Sequence, residues 1–369
     1  MFLTSNRVVK SAIRVFCTIS ITLASGLSIA NAANFYEVSR IDLAPATNPN
    51  NPEYIGTFAA AVAWDSGRLY VAGFNASGVD DNVGIVEISN PLSTPSFGSA
   101  FGTVFSGNGR GYTGVAFDGN TVSASYDNGT ANAYGIQAFE PDGTLRWKVG
   151  DTSGNFRGMS GVAADPGFNG LDSGIASQTF GSGRRWLWDD ATGANIYNGS
   201  NGMITFVDTS SWRSLDFAAN GDMYYRGQND VFKLTRTGGN SGTATKIVDL
   251  TNAPFVLGQN IGVIEFNGNT YVIYNDRIDT SVAGFNSIVS LANSDGTPEA
   301  LNINWLGGVS PLDGNGYYDF DWDPQTQTLA VLDFNNNMVH ILAVPEPAAV
   351  SLFALTSACL IARRFRASA

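Results

Sequence analysis

The chain has 369 residues and a formal net charge of −12; 44% of its residues are hydrophobic and only 14% are charged. That composition supports a packed core and excludes a disordered chain, while the acidic balance excludes binding of nucleic acid through a basic face. The 42 glycines and 12% aromatic content fit short strands joined by tight turns rather than helices. In chain order, residues 1–32 read as a secretory signal peptide. Arg7, Lys10 and Arg14 precede the apolar run Val15–Ile29, and Ala30-Asn31-Ala32 offers signal peptidase a small-x-small site with the cut after Ala32. The only two cysteines, Cys17 and Cys359, lie in the apolar end segments, so the body carries no disulfide framework and no cysteine metal site.

The body, residues 34–344, begins with the strand-like Phe35–Leu43 and then repeats. An apolar residue, a spacer and an aromatic residue or alanine recur around Trp64, Phe117, Ala164, Phe217, Phe266 and Trp322. Units of about 50 residues have the length of a propeller blade. Within the second unit the strands read as Gly114–Asp118, Thr121–Tyr126, Tyr134–Glu140 and Leu145–Val149, with Asp142-Gly143 as a hairpin turn. Arg185–Trp188 and Ala194–Tyr197 repeat the outer pair in the third, and Ser287–Leu291 supplies a strand of the fifth. The sixth unit holds only Tyr318–Asp323, Thr328–Asp333 and Met338–Val344. The expected fold is therefore all-β, a six-bladed propeller of four-stranded blades. Phe35–Leu43 closes it as the outer strand of the last blade, which removes an open edge. A tandem β-sandwich is the alternative that regular short strands leave open.

The last segment, residues 345–369, follows where the repeats end. Pro345-Glu346-Pro347 precedes the apolar run Ala348–Ile361, and Arg363, Arg364 and Arg366 close the chain. The run is short beside the roughly 20 residues of an average span, yet basic residues behind it can hold it in a membrane. These three parts in this order resemble the PEP-CTERM sorting signal. The resemblance covers only the tail. It implies a short transmembrane helix, recognition by a membrane-embedded exosortase, cleavage near Pro-Glu-Pro, and delivery to the cell surface or an exopolysaccharide matrix. A plain C-terminal anchor is the simpler alternative.

Candidate chemistry in the body is sparse. The single histidine, His340, alternates with Val339 and Ile341 in a last-blade strand, so it reads as structural and a Ser-His-Asp triad is not expected. Asp216, Glu265 and Asp321 each stand one residue before an anchor. Inner strands line a propeller channel, so these carboxylates could converge there and hold Ca²⁺, or bond backbone between blades. Arg110, Arg157, Gln259 and Asn315 each stand seven residues before an anchor, where a channel rim could hold an acidic sugar or small carboxylate. The competing reading has the arginines bonding loop carbonyls or inter-blade aspartates. Trp186, Trp188, Trp212 and Trp305 could stack on sugar rings or pack between blades. The expected function is a surface- or matrix-sorted propeller that binds an exopolysaccharide or surface protein. The alternative is a Ca²⁺-dependent hydrolase, lactonase or lyase working in the channel.

Overall fold

The computed structural model describes residues 33–106, 109–127, 134–151, 159–169, 173–179, 185–196, 214–227, 230–238, 241–250, 260–275, 289–312 and 318–345. All regular structure among them is β, and no helix there is long and apolar enough to cross a membrane. The chain opens with β1 (Ala33–Asp42), followed by β2 (Phe58–Asp65), β3 (Arg68–Phe74), β4 (Asp81–Ser89), β5 (Ser96–Phe97) and β6 (Phe101–Ser106). Next come β7 (Gly111–Phe117), β8 (Val122–Asp127), β9 (Tyr134–Phe139) and β10 (Leu145–Asp151), then β11 (Met159–Asp165), β12 (Gly174–Thr179) and β13 (Arg185–Trp188). The meander β14 (Ser214–Phe217), β15 (Met223–Arg226), β16 (Asp230–Gly238) and β17 (Ser241–Asp249) leads to β18 (Ile261–Phe266), β19 (Asn269–Asn275), β20 (Val289–Asn293) and β21 (Pro298–Glu299). Last are β22 (Leu301–Asn304), β23 (Tyr318–Asp323), β24 (Thr328–Asp333) and β25 (Met338–Ala343).

These strands form a propeller arrangement. The first strand of each meander stands beside the first strand of the next: β2 by β7, β7 by β11, β11 by β14, β14 by β18, β18 by β23, and β23 by β2. These inner strands run in one direction, so the channel has a leading mouth where they begin and a trailing mouth where they end. Each meander packs on its neighbour through its own apolar cluster. Trp64 and Val71 meet Leu332 and Ile341; Tyr70 and Ala72 meet Tyr112 and Phe117; Ile136 and Trp147 meet Ile175 and Trp188. Burial on both faces explains the near-continuous apolar runs of β2 and β3, whereas inner strands β14 and β23 alternate. β8, β13 and β24 are buried at every position.

Three expectations are corrected. The ladders form five sheets of three, four, four, five and nine strands, not six separate sheets of four. The nine-stranded sheet joins β2–β6 to β7–β10 through the single pair Phe74–Gly111. The two backbones come that close because Gly111 has no side chain; a Cβ there would stand 2.8 Å from the Gly73 carbonyl oxygen. In the third meander, the described part of Ala194–Tyr197, residues 194–196, forms a single bridge, Trp188–Asn195, rather than a strand, and Tyr197 lies outside the described residues. Finally, β1 does pair antiparallel with β25, Tyr36 opposite Ala343 and Asp42 opposite Met338, but it is not the outermost strand. β22 lies outside it, paired in parallel from Ala33–Leu301 to Tyr36–Asn304.

The seam between the two ends carries a buried polar clasp. Arg40 donates to both oxygens of Glu37, at 2.8 and 2.7 Å, and the Leu306 N–H donates to Glu37 Oε2 at 2.7 Å. His340 Nδ1 lies 2.7 Å from Glu37 Oε1, and the Trp305 ring meets the imidazole edge-on at 5.6 Å. Burial pushes the Glu37 carboxyl up, but the donors from Arg40, His340 and Leu306 outweigh it and hold it below its ordinary value. Burial pushes the His340 imidazole down. A carboxylate already held by Arg40 requires the proton on Nδ1, so the neutral tautomer fits the seam. Glu37→Gln is expected to cost about 2 kcal/mol and to speed amide exchange in β1 more than elsewhere. Unchanged protection in β1 would refute the clasp.

Candidate binding site in the propeller channel

All six inner strands contribute to a narrow void of about 80 Å³ inside the channel, with Val62, Val115, Ala163, Asp216, Ile261 and Asp319 among its lining residues. Small residues at Gly114, Ala116, Gly161 and Ala164 leave the space. Three carboxylates face it: Asp216 from β14, and Asp319 and Asp321 from β23. They lie two residues apart on β23, as alternation along a strand dictates.

Each carboxylate reaches the next meander. Asp216 Oδ2 accepts the Val263 N–H at 2.6 Å. Asp319 Oδ2 accepts the Val62 N–H at 2.8 Å, and Asp321 Oδ2 accepts the Trp64 N–H at 2.6 Å. Glu265 Oε2 accepts the Ala219 N–H at 3.0 Å, while its other oxygen takes the Thr270 hydroxyl at 3.2 Å. Neighbouring inner strands splay too far for a ladder, so side chains satisfy the backbone donors that a sheet would otherwise satisfy.

Their electrostatic setting is unusual. All three aspartates line the narrow void, and Asp216 and Asp321 also reach the wider cavity at the trailing end of the channel. Burial pushes the Asp216 carboxyl up to about 7, against the pull of its two backbone donors, with Glu265 adding a smaller upward push. Burial likewise raises Asp319 to about 7, with the Asp216 charge assisting. Asp321 is raised well above its ordinary value by burial first and by Asp216 next.

At the trailing mouth the channel widens to a cavity of about 440 Å³. Asp118, Asp165, Asp190, Asp216, Glu265 and Asp321 line it, together with Phe217 and Trp322. Two of these acids are already paired: Asp165 with Arg236 across 2.7 Å and Asp190 with Arg146 across 3.1 Å. No lysine or arginine is among the described lining residues, so the mouth attracts hydroxyl donors and cations and repels anions.

The residues expected to matter fall in different places. Asp216 and Asp321 do converge on the channel; Glu265 stands at the trailing mouth. Among the described residues no group of three or more His, Cys, Asp or Glu has the spacing to hold a metal ion. Arg110 stands at the leading mouth, half exposed, with Nη1 2.6 Å from Asp127. Arg157, Gln259 and Asn315 lie outside the described residues, as do Glu346, Pro347, Arg363, Arg364 and Arg366; Pro345 is described and exposed. Trp186 and Trp188 are buried between meanders, Trp305 packs on His340 and the last apolar cluster, and Trp212 is outside the described residues. Asp319 was overlooked as a channel residue. Its signal was present in Asp319-Phe320-Asp321, where period-two alternation puts both carboxylates on one side.

No family model matches the chain, and no curated protein matches it. Its fold is similar to that of an auxiliary nutrient binding protein from Bacteroides thetaiotaomicron VPI-5482. The two share 10% identity over 78% of this chain and 69% of that one, with a TM-score of 0.53. What they share is the fold. A looser likeness is to the β-propeller domain of Cps50 (Swd1) from Myceliophteria thermophila, at 11% identity over 78% of this chain and 84% of that one, with a TM-score of 0.46.

Proposed function

We propose that the chain is an exported six-bladed propeller, sorted to the cell surface or matrix, that binds a neutral or amine-bearing polysaccharide at its trailing mouth. The blade count is supported by the ring of inner strands β2, β7, β11, β14, β18 and β23 and by dividing the nine-stranded sheet at its single bridging pair. The observation that carries the binding reading is the 440 Å³ mouth, onto which the carboxylates of Asp118, Asp216, Glu265 and Asp321 open. Carboxylate oxygens accept sugar hydroxyls and attract ammonium groups. The similarity to a nutrient binding protein supports binding over turnover. Residues 1–32 and 345–369 supply the export and sorting reading, with signal peptidase and exosortase as processing partners.

Retention on immobilised polymers tests the reading. A neutral glucan or a glucosamine polymer is expected to retain the protein, and a uronate polymer is not. Glu265→Gln with Asp118→Asn is expected to weaken retention about tenfold. Retention by none of the three, or by the uronate polymer alone, refutes the site. A Ca²⁺-dependent site remains separately testable by calorimetry. Binding at millimolar Ca²⁺ that disappears in Asp321→Ala would support it, and no heat of binding would dismiss it.

A further inference from the structure

The two ends of the folded chain leave the same face of the propeller. Tyr36 pairs with Ala343, so the start of β1 and the end of β25 lie side by side. Ala343 also pairs with Thr328, and Thr328 with Asp323, the last residue of inner strand β23. That end belongs to the trailing mouth. The turn of the first meander stands next to it: the Gly67 N–H donates to Asp323 at 2.9 Å, and Gln325 donates to Ser66 Oγ at 3.1 Å. Both chain ends are fastened there. The Ala33 N–H donates to the Ala300 carbonyl at 2.9 Å, and the Val344 N–H to the Gln327 carbonyl at 3.5 Å. Val344 also packs against the apolar cluster between the last two meanders. The turns after β3 and β24 lie at the opposite, leading face, because Phe74 pairs with Phe58 and Asp333 with Tyr318.

We propose that, while the C-terminal segment stands in a membrane, the propeller is held with its trailing mouth toward that membrane and its leading mouth toward the medium. This rests on reading residues 345–369 as a membrane-inserted tail. The spacer between the fold and the apolar run is Pro345-Glu346-Pro347, with proline at two of its three positions. At about 3.1 Å per residue for an extended proline-rich segment, it reaches roughly 9 Å. A domain of this length has a radius of gyration of about 20 Å. It cannot turn over on so short a spacer without driving its rim into the bilayer. The acids of the trailing mouth repel anionic headgroups, so the tether, not adhesion, sets the orientation. Cutting the spacer then frees the propeller and opens its 440 Å³ mouth to the medium.

Fluorescence quenching tests the orientation. The exported chain, carrying Cys359→Ala, receives a single labelled cysteine by Gln325→Cys on the trailing face or Ser77→Cys on the leading face; both positions are exposed. It is reconstituted in phosphatidylethanolamine–phosphatidylglycerol vesicles that carry headgroup nitroxides. The chain is expected to float with the vesicles, and the label at 325 is expected to be quenched at least threefold more than the label at 77. Flotation with equal quenching, or with stronger quenching at 77, overturns the orientation and leaves the tail reading standing. A chain that does not float overturns the tail reading and the orientation with it.

Discussion

Asp165→Ala is expected to destabilise the protein by about 3–5 kcal/mol, among the largest effects of any single substitution in the fold. Asp165 ends inner strand β11, and Arg236 lies on β16 of the next meander. The pair is bidentate, with Nη1 to Oδ1 at 2.7 Å and Nη2 to Oδ2 at 2.8 Å, and both side chains are fully buried. Asp165 Oδ1 also accepts the Gly167 N–H at 2.8 Å, and the guanidinium lies 5.8 Å from the Phe217 ring centroid. Removing the carboxylate leaves a buried cation that its remaining neighbours cannot compensate. In thermal unfolding the loss corresponds to roughly 2 °C per kcal/mol for a domain of this size. Urea titration measures it directly. Replacing both partners, Asp165→Leu with Arg236→Met, is expected to recover most of the loss, because the unpaired charge is what destabilises. A single variant within 1 kcal/mol of wild type would show that the pair does not bind the two meanders together.

The same position shows where sequence reading stops. Asp65, Asp118, Asp165 and Asp323 all follow the recurring anchor, yet they act differently. Asp118 accepts the N–H groups of Asn120 and Thr121 in its own turn, Asp323 crosses to Gly67, and Asp165 takes a buried arginine. Spacing reports where a residue sits along a strand and on which side; it does not report what the neighbouring meander brings to it. The inner strands were legible because an anchor recurs in each. The closing pair was legible because the last meander lacked a strand and Phe35–Leu43 was left over. β22 was not. Leu301-Asn-Ile-Asn304 is a four-residue run whose parallel partner, β1, lies near the other end of the chain, and no local pattern announces such a pairing. For Asp216 and Asp321 the expected side of the strand was right. Their oxygens, however, are engaged by backbone N–H groups of the next meander, a consequence of strand splay that side-chain spacing does not encode.

Those channel carboxylates give the protein a pH dependence of unusual sign. Most buried acids in folded proteins are paired and lose their contribution as pH falls. Asp216 and Asp319 are pushed up to about 7, and Asp321 well above its ordinary value, while in the unfolded chain all three titrate near 4. Between about pH 4 and 7 the folded state therefore binds protons that the unfolded state has released, and stability falls as pH rises through that window. Above it the loss is complete and the curve flattens for Asp216 and Asp319. Contact with the void and the backbone donors moderate the effect, so the expected loss from pH 5 to pH 8 is about 2–4 kcal/mol. His340 acts in the opposite direction. Its imidazole is pushed down, so the stability it contributes is lost as pH falls below its ordinary value. The difference between wild type and Asp319→Asn removes His340 from the comparison. The asparagine can still accept the Val62 N–H through its side-chain oxygen but carries no charge. The variant is expected to match the wild type within about 1 kcal/mol at pH 5 and to exceed it by about 1–2 kcal/mol at pH 8, measured by urea unfolding at four pH values. A difference that stays constant across those values would mean that Asp319 is ionised in the channel throughout.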